Sequence, residues 1–169
     1  MRHVGYGHMI KTAIFDFDGT LADTIPLCLE AFRRAVNDLD GRVLTDREIE
    51  RNFGPDDLGV IRKLFPGKPE WHEHGRELFI HYYQELHAEM APAPFPGTVE
   101  LLHSLRNSGI RLAMVTGKRR ESADISLKFF HLDGFFPVLE TGSPEGGVKT
   151  DRINRALKRL GASAREAVY

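Results

Sequence analysis

Two aspartates separated by one residue, Asp16 and Asp18 in the stretch FDFDGT, follow directly on the apolar segment KTAIF. In an extended chain, side chains two apart project the same way, so the two carboxyls share one small volume. Like charges that close resist joint ionisation unless a cation offsets them, and hard carboxylate oxygens favour magnesium. The same letters also spell a plain Asp-Gly turn with carboxylates bonded to backbone amides. Other residues able to do chemistry lie far along the chain. Thr116 and Gly117, in VTGK, offer a hydroxyl and an unhindered amide where a strand ends, groups that cradle a phosphoryl oxygen, with Lys118 beside them. Lys149, in GGVKTD, places a compact positive charge ahead of a helix, where it can face Asp16 and a phosphate. Singly, these read equally well as a strand-to-helix turn and a solvated lysine; their order along the chain gives them weight.

The elements that position these groups follow from periodicity. Residues 11–17 read as a strand ended by Asp18-Gly19, which puts the acids at its carboxyl end. Residues 27–39 carry apolar positions at helical spacing, with Pro26 suited to a first turn and Gly41 to a stop. Helical patterns recur over 46–52, 56–65 and 71–90, and the proline-rich APAPFPG, 91–97, marks a connector. Beyond it come a helix over 98–107, a strand over 110–115, a helix over 122–130, a strand over 136–140, a helix over 151–160 capped by Gly161, and the start of a strand over 167–169. This alternation predicts an α/β fold, a Rossmann-like parallel sheet core with ligands at the carboxyl ends of its strands. The core comprises residues 9–20 and 92–169, with an all-helical cap inserted over 21–91; the polar leader 1–8 is expected to be vector-derived or a loose terminus without function. The ligand rule picks out DFDGT, TGK and the loop GSPEGGVK.

With 169 residues, 41% of them hydrophobic and 28% charged, the chain has enough apolar material for one globular unit. Its formal net charge of -1, without long runs of one sign, offers no electrostatic footprint for nucleic acid or an anionic membrane. No apolar run reaches the ~20 residues that span a bilayer. The single cysteine, Cys28, rules out an internal disulfide framework and fits a cytoplasmic location. It falls in a helical apolar pattern and reads as core rather than nucleophile.

The segments FDFDGTLADT, LAMVTGK and GGVKTDRINRALKRLGA resemble the first three motifs of the haloacid dehalogenase-like hydrolase superfamily, and within it the phosphoglycolate-phosphatase-like enzymes with a helical cap. The resemblance implies magnesium-dependent hydrolysis of a small phosphate monoester such as phosphoglycolate, with a small phosphorylated metabolite as partner and the chain a monomer or weak dimer. It makes Asp16 the nucleophile that forms an aspartyl-phosphate and Asp18 the general acid and base. Mg2+ would be held by the Asp16 carboxylate and the Asp18 main-chain carbonyl, while Thr116, Gly117 and Lys149 would bind phosphate. Asp18 argues against dehalogenation, and no imine-forming lysine is identified in the insert, which argues against phosphonate cleavage. A sugar-phosphate mutase of the same fold and a non-catalytic binding relic are the alternatives.

Two departures from the family pattern matter. Thr150 stands where proline usually follows the lysine, and it is expected to cap the helix instead. The fourth motif, with the acids that normally complete the magnesium shell, would begin where the sequence stops, so the C-terminal part of the core is expected to be missing and turnover to be poor. Other features are weaker. His72, His74, His81 and His87 do not repeat one helical face and read as surface histidines. Arg62, Lys63, Arg119 and Arg120 could meet an anionic tail but read as solvated, and GSPEGG lacks the arrangement of a nucleotide phosphate loop. The turn NFGPDD, residues 52–57, is placed where a cap loop would reach over the site.

Overall fold

A computed structural model describes residues 9–169; the leader 1–8 lies outside the described residues. Four short strands, β1 (Thr12–Phe15), β2 (Arg111–Val115), β3 (Val138–Glu140) and β4 (Ala167–Val168), form one sheet in the order β3-β2-β1-β4. Every pairing is parallel, and Phe15 stands opposite Met114. Alternation of side chains across the pleat divides the core in two. Ala13, Leu112 and Met114 point into the larger hydrophobic cluster, whereas Ile14, Ala113, Val115 and Val138 pack with Ala156 and Leu157 on the other face. Both faces are buried, which is why these strands read as apolar runs without polar alternation.

Between β1 and the proline-rich connector the chain is helical. Helix α1 (Ile25–Asp40) has Pro26 in its first turn and ends at Gly41, whose φ of 77° is left-handed and suits glycine. Short helix α2 (Asp46–Glu50) starts with a capping box of Thr45 and Glu48, and α3 (Asp57–Leu64) is capped by the Asp56 carboxylate, which accepts the Gly59 amide. Helix α4 (His72–Met90) follows a single 3-10 turn and lies along α1, with Phe32 and Phe79 stacked at 4.0 Å. The two ends of this helical stretch meet: the Phe95 amide and the Thr98 hydroxyl both donate to the Leu21 carbonyl, at 2.9 and 3.3 Å. Three more helices, α5 (Thr98–Asn107), α6 (Arg120–Phe129) and α7 (Lys149–Leu160), flank the sheet. Among the described residues, no helix is long and apolar enough to cross a membrane.

Element types match the periodicity throughout, and the differences lie at the ends. Strand β1 stops at Phe15, before the acids. Helix α7 begins two residues earlier than its apolar pattern indicates, so Lys149 lies in its first turn. The N-cap residue there is Val148, without a side-chain cap, so Thr150 sits inside the helix and does not cap it. The turn glycines Gly146 and Gly147, with φ of 89° and 114°, let the chain enter α7 directly.

Candidate active site

Phe17, between the two aspartates, is the local anchor. It is 0% exposed and stacks with Phe130 at 6.2 Å, a burial that stabilises by roughly 1.5–3 kcal/mol and holds its neighbours at the sheet's edge. Gly19, with φ of 69°, then turns the chain, its amide donating to the Ala22 carbonyl. The pairing of Phe15 with Met114 sets Asp16 and Asp18 beside the exit of β2, where Thr116, Gly117 and Lys118 follow.

Each aspartate meets its own lysine. The Lys149 ammonium donates to Asp16 Oδ2 across 133 residues of chain, while Asp16 Oδ1 accepts the Phe17 amide at 2.8 Å. Partial burial pulls the Lys149 ammonium down, but the Asp16 carboxylate and the Tyr169 hydroxyl outweigh that and hold it above the ordinary lysine range. Asp18 Oδ1 lies 3.0 Å from the Lys118 ammonium and also accepts the Thr24 hydroxyl. Lys118 is 3% exposed, 3.4 Å from the Cys28 sulfur and 4.4 Å from the centre of the Tyr83 ring. Burial alone would push this ammonium down; Asp18 above all, with further contributions from Cys28, Tyr83 and Asp57, holds it well above the usual range.

Thr116 is 0% exposed and its Oγ accepts the Lys118 amide at 3.2 Å, which leaves the hydroxyl proton to be donated elsewhere. A Cβ built on Gly117 would meet nothing within 4 Å, and its φ is not in the left-handed region, so neither packing nor backbone conformation demands glycine there. Gly142 differs: a Cβ there would lie 2.1 Å from the Gly117 carbonyl and 2.3 Å from the Pro55 carbonyl, and its own amide donates to the Lys118 carbonyl at 2.7 Å. The loop after β3, the loop after β2 and the turn before α3 are thus in backbone contact.

Beside this contact lies a cavity of about 210 Å³. Asp18, Gly117 and Lys118 form its floor, Ile25, Cys28 and Phe32 one wall, and Phe53, Gly54, Asp56, Asp57 and Val60 the other. The turn NFGPDD therefore reaches over the site as its position suggests. Asp56 accepts from Arg119 at 3.3 Å, so Arg119 is paired rather than solvated. Asp57 is 7% exposed and accepts the Ser122 hydroxyl. Burial pushes its carboxyl up to about 6, although Lys118 and Ser122 pull the other way. Burial likewise pushes the Cys28 thiol up to about 12, which leaves it an inert core group.

Among the named histidines, His74 and His81 are exposed, and His72 Nε2 lies 2.8 Å from the Phe65 carbonyl. His87 departs from the surface reading: it is 1% exposed, because α4 packs it against α6, where Nε2 meets the Ser126 hydroxyl at 2.9 Å. Among the described residues, no group of three or more His, Cys, Asp or Glu side chains is placed to hold a metal. The donors that suit magnesium are the Asp16 carboxylate and the Asp18 main-chain carbonyl, both hard oxygens, so the fit is right in kind and covers two of its ~six positions. Thr24 and Tyr83 are members of the site that the sequence reading did not name, whereas Lys118 stood there beside Thr116 and Gly117, and Asp57 in the NFGPDD turn.

Residues 13–169 match the family model of haloacid dehalogenase-like hydrolase. Pyrophosphatase PpaX of Halalkalibacterium halodurans is 29% identical over 94% of this chain and 73% of its own length. Tyrosine-protein kinase PtkA of Mycobacterium tuberculosis is 30% identical over 91% of this chain and 53% of its own. Among solved structures, CbbY of Rhodobacter sphaeroides, in complex with phosphate, superposes with a TM-score of 0.80 at 24% identity, covering 95% of this chain and 76% of that one. Because the family match runs from the first strand to the last residue and takes in all three loops of the site, the chain belongs to the haloacid dehalogenase-like hydrolase family.

Proposed function

We propose that the chain is a phosphatase that hydrolyses a small phosphate monoester through covalent catalysis at Asp16, with Asp18 as acid and base and residues 21–91 acting as a cap over the cavity. One observation carries the reading: Asp16 and Asp18 are each matched with a separate lysine, Lys149 and Lys118, and the Asp18–Lys118 pair lines the cavity. Phosphoglycolate is the reference substrate suggested by the sequence.

In the first step an Asp16 carboxylate oxygen attacks phosphorus, and the ester oxygen leaves with a proton from Asp18. In the second, Asp18 as carboxylate takes a proton from water, whose oxygen attacks phosphorus and releases Asp16 and inorganic phosphate. Asp18 Oδ1 is already taken up by Lys118 and Thr24, so the travelling proton belongs on Oδ2. Lys149 supports the ionised nucleophile and offers a cation to the phosphoryl oxygens, while the Thr116 hydroxyl and the Gly117 amide supply neutral donors. Magnesium bound at the Asp16 carboxylate and the Asp18 carbonyl would neutralise charge on the phosphoryl group.

Release of inorganic phosphate from a monoester panel, with and without added magnesium, tests the proposal. Asp16→Asn is expected to reduce release by at least ~10³-fold with the fold retained. Unchanged release in that variant removes Asp16 from the mechanism; isomerised sugar phosphate without free phosphate indicates a mutase instead.

A further inference from the structure

We infer that the cavity selects a phosphate ester whose alcohol part donates hydrogen bonds and carries no negative charge, a hydroxylated or amino alcohol, with Asp57 as the residue that enforces the choice. The inference rests on the phosphatase reading above and narrows it to a substrate class. Floor and walls carry three carboxylates, Asp18, Asp56 and Asp57, against one ammonium, Lys118. That ammonium has no spare capacity for a carboxylate tail: it is 3% exposed and engaged by Asp18, the Cys28 sulfur and the Tyr83 ring.

Two other cations near the cavity already have partners. Arg119 pairs with Asp56, and Lys63 donates to the Phe53 carbonyl at 3.1 Å. An anionic tail entering here would give up its water without gaining a donor, and it would face a like charge at Asp57. Acceptors are what the wall supplies. Among the described residues the Ser122 hydroxyl is the hydrogen-bond donor to Asp57, at Oδ2, so Oδ1 remains for a hydroxyl or ammonium arriving in the cavity. Ile25, Phe32, Phe53 and Val60 give the carbon skeleton apolar surface. At about 210 Å³ the space is smaller than the ~300–1,000 Å³ of drug-sized pockets, which limits the alcohol to a few heavy atoms. Glycolate is small enough but has the wrong charge.

The test measures binding, so it does not depend on turnover. In the Asp16→Asn chain, dissociation constants are determined calorimetrically, with magnesium, for three esters that share a phosphate: phosphoglycolate, glycerol phosphate and phosphoethanolamine. The expected result is binding of the last two at least about tenfold tighter than phosphoglycolate. Adding Asp57→Asn, which preserves shape and the Ser122 bond, should tighten phosphoglycolate several-fold, loosen phosphoethanolamine several-fold and change glycerol phosphate little. Equal or tighter binding of phosphoglycolate before Asp57 is changed, or an Asp57→Asn effect that ignores tail charge, overturns the inference. Phosphate release by the unmutated chain is measured alongside. Release with the wrong charge order refutes the selectivity and leaves the phosphatase reading standing, whereas absence of release with the expected charge order refutes catalysis and leaves the binding preference.

Discussion

Asp57→Asn has a second consequence, for stability, whose size follows from the burial of this side chain. Burial raises the Asp57 carboxyl from the ordinary 3.8 to about 6. The folded chain therefore binds this proton more tightly than the unfolded chain, and between about pH 4 and about pH 6 it is the folded state that carries the extra proton. Stability from this group falls as pH rises through that window, and above it the ionised carboxylate costs roughly 3 kcal/mol at ~1.4 kcal/mol per pH unit. Asparagine is neutral at every pH and can still accept the Ser122 hydroxyl. The variant should match the parent below about pH 3.5, exceed it by about 1 kcal/mol near about pH 4.5 and by up to roughly 3 kcal/mol near about pH 7.5. At about 2–4 °C per kcal/mol for a chain of this size, the gap in Tm would reach about 6–12 °C. Differential scanning calorimetry of both proteins across that range measures the difference, and carboxylates common to both cancel. Parallel Tm–pH curves would show that Asp57 is not the strained acid described here.

Three further outcomes are expected. Gly142→Ala forces a methyl group against the Gly117 and Pro55 carbonyls, which is expected to cost about 1–3 kcal/mol; urea denaturation and solvent protection of the Pro55–Asp57 amides would both report it, and an unchanged variant would refute the tight three-loop contact. Lys118→Met leaves Asp18 and Asp57 without their shared buried cation, so about 3–5 kcal/mol should be lost at about pH 8, less at about pH 5 where Asp57 is protonated; a loss independent of pH in urea melts would contradict this. Lys149→Met breaks an ion pair whose lysine side chain is 37% exposed, so the unfolding free energy should stay within ~1 kcal/mol of the parent while phosphate release falls ~10²-fold or more.

The chemistry-bearing loops were legible in the sequence because each follows a strand whose apolar run is bounded by glycine, and parallel sheets gather such exits at one edge. Lys149 was legible for the same reason, although its helix starts earlier than the apolar periodicity over 151–160 indicates. The burial of Lys118, Asp57 and His87 was not, because burying a lysine, an aspartate or a histidine costs free energy unless a partner arrives. Their partners, Asp18, Ser122 and Ser126, lie 100, 65 and 39 residues away, and nothing in local spacing announces them. The correction at Thr150 has the same root: whether a hydroxyl caps a helix depends on where the preceding loop lets the helix begin, which here is set by Gly146 and Gly147.

Spacing alone suggested one small volume holding two acids and a single compensating cation. The structure distributes the compensation, and the two lysines differ in freedom: the Lys118 side chain is 2% exposed, that of Lys149 37%. In the proposed mechanism a buried ammonium held by several acceptors would not follow the proton on and off Asp18, so its charge would stay constant and direct the transfer to the other carboxylate oxygen. A half-exposed ammonium on the first turn of a helix can leave Asp16 for a phosphoryl oxygen without breaking any packing. Fixed charge beside the proposed acid and movable charge beside the proposed nucleophile suits covalent phosphoryl transfer, since such a nucleophile must give up its cation to bond phosphorus while the acid must keep its geometry to return the proton.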